Sequence, residues 1–329
     1  MDFYLVAILG CVLSFLGVYF LMPPYIKALK EHNINQSVSE YALEEYKTKQ
    51  KTPIMGGLLF VVVPVIVYLV INMSNVQDRL ANMVLLSYIL FCLVGFGDDI
   101  LIILRKNNEG LSPKLKLILE FIFAIIIYLI YKDSLSFKVD LPLLKKTIEL
   151  KKTIELSWFI YIPFIILMFL GEANAVNFTD GMDGLCAGVS TISLLAYLVI
   201  LLLSAKYNIF ILVSCIIGGL LAYLCYNHFP AKIFMGDSGS LALGGLFASI
   251  ALATNSEIVL LFIGGVFLIE MFCVCIQQIA VRVFHKRVFS YTPIHYAFVL
   301  KGHKETTVVK RFYILTLILS VIGLVLYIF

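Results

Sequence analysis

Residues 158–204 read WFIYIPFIILMFLGEA, then NAVNFTDGMD, then GLCAGVSTISLLAYLVILLLS. Two apolar stretches, 158–173 and 184–204, flank ten residues that hold two amides and two carboxylates. About 20 apolar residues cross the ~30 Å hydrocarbon of a bilayer as a helix, so this stretch predicts two membrane helices joined by a polar turn. The pattern recurs along the chain. Apolar stretches bounded by charges or turn residues run 3–26, 54–72, 81–97, 115–131, 158–173, 184–204, 208–226, 239–253, 257–281 and 312–329. They predict an all-α polytopic membrane protein of about ten transmembrane helices. No loop is long enough to build its own core, so 1–329 reads as a single integral membrane domain. Composition agrees, since 61% of the 329 residues are hydrophobic and 14% charged, which is too apolar for a soluble domain. Met1-Asp2-Phe3 brings no basic leader or cleavage site, which predicts a retained first helix.

Basic residues sort unequally between the two sets of connections. Those after odd-numbered helices carry 17 of the 25 Lys and Arg; the other set carries eight, six of them in the loop 132–157. The richer side is expected in the cytoplasm, with both termini outside. The net charge of +4 follows from this topology, and no nucleic-acid partner is expected. The seven cysteines lie in or beside apolar stretches without a CxxC pair and read as packing residues. Loop 132–157 contains a tandem repeat, KKTIEL at 145–150 and again at 151–156. Its even period puts Ile148, Leu150, Ile154 and Leu156 on one face of an extended chain. A short amphipathic hairpin or strand on the outer surface is expected, with no catalytic role.

Carboxylates beside lipid are costly unless they serve a site. The polar motifs Gly95 to Asp99, Asn174 to Gly184, Asn227, Phe234 to Gly239 and Pro293 to His295 all fall on the side assigned to the cytoplasm. The outer loops hold only scattered acids such as Asp78, Asp133 and Asp140. This asymmetry predicts one cytoplasmic-face cleft. Adjacent Asp98 and Asp99 at a helix end resist joint ionisation, so one could bind a cation or take a proton; an ordinary interfacial acidic pair is the alternative. Asp180 and Asp183 flank a glycine turn and could converge on one small volume, or Asp183 could cap the helix that follows. Asp237 enters the eighth helix from a turn, as a hard oxygen ligand for Mg²⁺ and substrate phosphates or as a plain cap. His295 sits in a basic loop and reads as a phosphate contact or as a structural interfacial histidine. Pro53 sets a helix entry, and Gly56-Gly57 permits close helix approach. Lys49 and Lys51 read equally as membrane-boundary anchors or anion contacts.

These segments, in this order, resemble the polyprenyl-phosphate N-acetylhexosamine-1-phosphate transferase superfamily. The resemblance runs through Thr52 to Gly57, Gly95 to Asp99, Asn174 to Leu185, Pro230 to Gly245 and Thr292 to Phe312. It implies ten transmembrane helices, a homodimer in the bacterial plasma membrane, and Mg²⁺-dependent transfer of a sugar-1-phosphate from a UDP-linked donor to undecaprenyl phosphate, releasing UMP, either by direct attack of the lipid phosphate or by a covalent aspartyl route. It implies that Asp237 holds Mg²⁺, that Asp98 is the base for the lipid phosphate, and that Asp99 is its neighbour. Asn174, Asn177, Asp180 and Asp183 would line the nucleotide and pyrophosphate region, with Gly181, Met182 and Phe234 near the uracil. Lys49, Lys116, Asn227 and His295 would complete the cleft. Pro293-Ile294-His295, with Phe298 to Gly302, Val308-Val309 and Arg311-Phe312, resembles the branch whose donor carries MurNAc-pentapeptide and whose product is lipid I. A UDP-GlcNAc-using branch is the alternative. Three positions depart from the family pattern: its run of three histidines is His295-Tyr296-Ala297, a lysine is replaced by Ile102, and a threonine by Ile54. Readings from other classes are an inactive scaffold or a transporter, although transporter sites lie at the midplane on broken helices.

Overall fold

Each of the ten apolar stretches is helical, the ninth with a break. The computed structural model describes residues 3–32, 34, 52–73, 77–105, 110–135, 138–140 and 153–329. Its helices are α1 (Phe3–Glu31), α2 (Gly56–Ile71), α3 (Arg79–Arg105), α4 (Pro113–Tyr131), α5 (Trp158–Thr179), α6 (Leu185–Leu203), α7 (Tyr207–Asn227), α8 (Asp237–Ala253), α9 (Glu257–Ile263), α10 (Gly265–Phe284), α11 (Ile294–Leu300) and α12 (Glu305–Ile328). Among the described residues, α1, α3, α5, α6, α7, α10 and α12 are long and apolar enough to cross a bilayer. Helices α2 and α8 are apolar but shorter. Helix α4 carries Lys114, Lys116 and Glu120 in its first half. Phe20, Val70, Leu167 and Phe284 on the outer surface are each more than 60% exposed, as a lipid-facing shell requires. The protein is an all-α polytopic membrane protein.

Among the boundaries that differ from expectation, three bear on buried carboxylates or on the polar turns. The ninth stretch is two helices, broken at Gly264. A Cβ there would lie 2.8 Å from the Oε1 atom of Glu172 on α5, so a buried carboxylate abuts the one residue type that leaves room for it. Helix α3 runs beyond its expected end at 97 to Arg105, which places Asp98 and Asp99 inside a helix rather than after one. Helix α5 likewise continues through Thr179. In its polar last turns Asn174 Nδ2 and Thr179 Oγ1 donate to carbonyls four residues back, at 2.9 Å each.

Part of the second repeat copy pairs in a two-stranded antiparallel ladder, β1 (Lys138–Asp140) with β2 (Thr153–Glu155), with Val139 and Ile154 in register. The first copy of the tandem repeat, 145–150, lies outside the described residues.

Helix α8 is the axis of the bundle. Every residue from Ser238 to Ala253 is buried, against α2, α3 and α5. Hydrocarbon tails give helices little hydrophobic reason to associate, so close packing of small residues carries the association. A Cβ on Gly57 would lie 2.4 Å from Gly239 Cα, and one on Gly95 would lie 2.0 Å from the Asp237 carbonyl oxygen. Backbone bonds complete the seam: Gly56 N donates to Phe234 O, Gly57 N to Met235 O and Phe234 N to Pro53 O, all at 2.8 Å. The start of α8, and with it Asp237, is therefore fixed against α2 and α3.

Candidate active site

The first N–H groups of a helix have no partner within it. At α8 that need is met from another helix: Asp99 accepts from Asp237 N through Oδ1 and from Ser238 N through Oδ2, both at 3.0 Å. Asp98, one residue earlier, is rotated ~100° about α3 and does something else. Its Oδ1 accepts from Leu111 N at 2.8 Å, and its carboxyl meets that of Asp237. The aspartate pair is thus two separate devices, a cap and a cleft carboxylate.

Asp237 gathers the cleft around itself. Lys116 Nζ, from α4, donates to its Oδ2 at 2.5 Å, and Asn177 Nδ2 donates to its Oδ1 at 2.8 Å. The second amide hydrogen of Asn177 goes to Ser240 Oγ at 2.9 Å. Asn174 is used up in the same way, donating to Glu120 Oε2 at 2.7 Å and Leu170 O at 2.9 Å. Both amides are left with only a carbonyl oxygen to offer. Two touching carboxylates and two open amide oxygens are hard donors that suit a divalent cation. The described residues contain no cluster of three or more His, Cys, Asp or Glu that could hold a metal. A cation here would therefore complete its shell with amide and substrate oxygens.

The loop 180–184 forms a second wall, pinned from several elements. Asp183 N donates to Glu305 Oε1 at 2.9 Å, and Gly184 N to Asn227 Oδ1 at 3.0 Å. Tyr296 OH donates to Gly181 O at 2.7 Å and Tyr313 OH to Gly184 O at 2.6 Å. The Asp183 carboxylate does not cap α6, whose N-cap is Gly184 at φ 77°; it accepts from Ala231 N at 2.9 Å. Burial pushes the Asp180 carboxyl up to about 8, and the carboxylates of Asp237, Asp99 and Asp183 push the same way. At neutral pH Asp180 therefore largely keeps its proton.

His295 is fully buried at the start of α11. Glu270 of α10 accepts from Ile294 N at 2.7 Å, His295 N at 3.3 Å and His295 Nδ1 at 3.0 Å. With Nδ1 held against Glu270, Nε2 is turned towards Gly181. A Cβ on Gly181 would lie 2.2 Å from Nε2, and Nε2 itself has no hydrogen-bond partner. Replacing Glu270 with Ala strands two backbone donors and the imidazole. The expected cost is about 3 kcal/mol or more, read as a lowered unfolding temperature of the detergent-solubilised protein together with lost turnover.

The profile of Glycosyl transferase family 4 matches residues 81–255, the stretch that contains Asp98, Lys116, Asn177 and Asp237. A phospho-N-acetylmuramoyl-pentapeptide-transferase of Halalkalibacterium halodurans is 36% identical over 321 residues, covering 97% of each chain. Those of Geobacillus sp. and Staphylococcus aureus are each 37% identical, covering 97% and 98% of both chains respectively. The chain belongs to the phospho-N-acetylmuramoyl-pentapeptide-transferase family. It is an enzyme, a phosphotransferase embedded in a membrane.

In this family member the residues expected from sequence do not all converge. Asp98, Lys116, Asn174, Asn177 and Asp237 gather at the start of α8, with Asp180 close by. Asp183 and Asn227 are buried, their polar atoms turned to backbone, and they hold loop 180–184. Met182 is buried in the core, and Phe234 is half-buried beside Pro53 and Gly56. Lys49 lies outside the described residues. Glu120, Glu270 and Glu305 were not expected. The first two are acids inside apolar stretches, a signal that marks function in a membrane helix as strongly as an acid at a helix end.

Proposed function

We propose that the chain transfers phospho-MurNAc-pentapeptide from its UDP-linked donor to undecaprenyl phosphate, giving lipid I and UMP in peptidoglycan synthesis. The observation that carries this reading is the Asp98–Asp237–Lys116 cluster at the start of α8, set beside two amide oxygens. Two phosphate groups must meet for the transfer, and their repulsion must be offset. Mg²⁺, when bound, would supply positive charge to the donor pyrophosphate, held by Asp237 with the open oxygens of Asn174 and Asn177.

The remaining work falls to side chains. Asp98 takes the proton of the lipid monophosphate. An oxygen of that phosphate then bonds to the sugar-bearing phosphorus of the donor, the bridging P–O bond breaks, and UMP leaves with the electron pair. Lys116 balances charge beside the leaving phosphate. Asp99 serves as the cap that holds Asp237 in place, since both of its oxygens are engaged by the backbone of α8. His295 Nε2 faces the donor side of loop 180–184.

The basic-residue asymmetry supports a cytoplasmic cleft with both termini outside. We read the chain as a single domain of the bacterial plasma membrane, acting as a homodimer. The direct test is UMP release by purified protein given UDP-MurNAc-pentapeptide, undecaprenyl phosphate and Mg²⁺. UMP and a chloroform-soluble product from this donor are expected. Equal or faster release from UDP-GlcNAc would move the assignment to the other branch, and no release from either donor would overturn it.

A further inference from the structure

Glu120 is a carboxylate inside the bundle, fully buried on α4. One oxygen accepts from Asn174 Nδ2. The other, Oε1, is buried and has no partner. An unpaired carboxyl oxygen in such a place is costly, so a donor that visits it gains strongly. Lys116 is the nearby candidate: four residues earlier on the same helix, it lies on the same face, and its ammonium is close enough for electrostatic interaction with Glu120. Lys116 is held at Asp237 Oδ2, the oxygen that a divalent cation in the cleft would claim.

We propose that Glu120 is the second seat of the Lys116 ammonium. While the cleft lacks a cation, the lysine holds Asp237; when a divalent cation takes Asp237, Lys116 turns one helical step to the open oxygen of Glu120. Glu120 is in this sense a positioning residue. It keeps the displaced ammonium at the cleft floor and keeps Asn174 facing the cation through its oxygen. The inference rests on the cation reading of the cleft given above.

The test is a double-mutant cycle on the full-length protein in detergent, with Mn²⁺ as the probe and free Mn²⁺ measured by electron paramagnetic resonance. Glu120→Gln still accepts from Asn174 but no longer offers a negative seat, so Mn²⁺ affinity is expected to fall about fivefold. Lys116→Met removes the competitor and is expected to raise affinity. In that background Glu120→Gln should change affinity less than about twofold. An equal loss in both backgrounds would mean that Glu120 attracts the cation directly, and would overturn the exchange. Mn²⁺ binding unaffected by Glu120→Gln would overturn it as well. No Mn²⁺ binding by either the unaltered protein or Lys116→Met would overturn the cation reading and this inference together. A measurement without substitution guards against misfolded variants: acylation of Lys116, followed by mass spectrometry, should stay low with and without Mn²⁺. A rise on adding Mn²⁺ would place the freed ammonium in solvent and overturn the proposal.

Discussion

Asp237→Asn is expected to lower UMP release by about 10³-fold, equivalent to about 4 kcal/mol of transition-state stabilisation, without unfolding the protein. Asparagine keeps the shape of the side chain and leaves the Asp99 cap on α8 untouched. It removes the charge that binds Lys116 and that would bind a cation, and it breaks the contact between two carboxyl groups. Raising Mg²⁺ should not restore the rate, because a neutral amide is a poor substitute for a carboxylate ligand. Activity within tenfold of the unaltered enzyme, at unchanged Mg²⁺ dependence, would remove Asp237 from the centre of the mechanism.

Gly95→Ala is expected to be the most damaging single methyl group in the bundle. The added carbon would lie 2.0 Å from the Asp237 carbonyl oxygen and 2.4 Å from Ser238 N. These are backbone atoms that no rotamer change can move aside. Overpacking of this kind costs about 1–3 kcal/mol or more, and relief requires α8 to shift away from α3, carrying Asp237 with it. Thermal unfolding and UMP release should therefore fall together. Gly97→Ala is the control, since a Cβ there meets nothing within 4 Å and alanine favours a helix by about 1 kcal/mol over glycine. Equal behaviour of the two variants would show that the α3–α8 contact is looser than its geometry requires.

Much of this architecture was legible in the sequence because membrane helices announce themselves by length and apolarity. The gathering of carboxylates at one end was legible too, once the stretches were counted. The division of labour between Asp98 and Asp99 was not. Adjacent residues look like one pair in a sequence, yet in a helix they point in different directions, and α3 remains helical past both. The Lys116–Asp237 contact spans 121 positions and depends on how α4 packs against α3 and α5, which periodicity does not encode. Glu120 and Glu270 were present as signals but sit within apolar stretches, where attention to helix ends passes them by. Asp183 and Asn227 look like binding residues by composition. Only their backbone partners show that they hold the loop 180–184.

That loop carries a consequence for how a donor is received. Its backbone is tied to side chains of α7, α11 and α12, and Asp183 ties it in turn to the chain just beyond α7. Ordering a residue costs about 1–2 kcal/mol of conformational entropy. For these five residues that cost is met during folding rather than during binding. On the proposed function this loop is ordered before the donor arrives, so more of the contact energy with a donor remains as affinity and orientation.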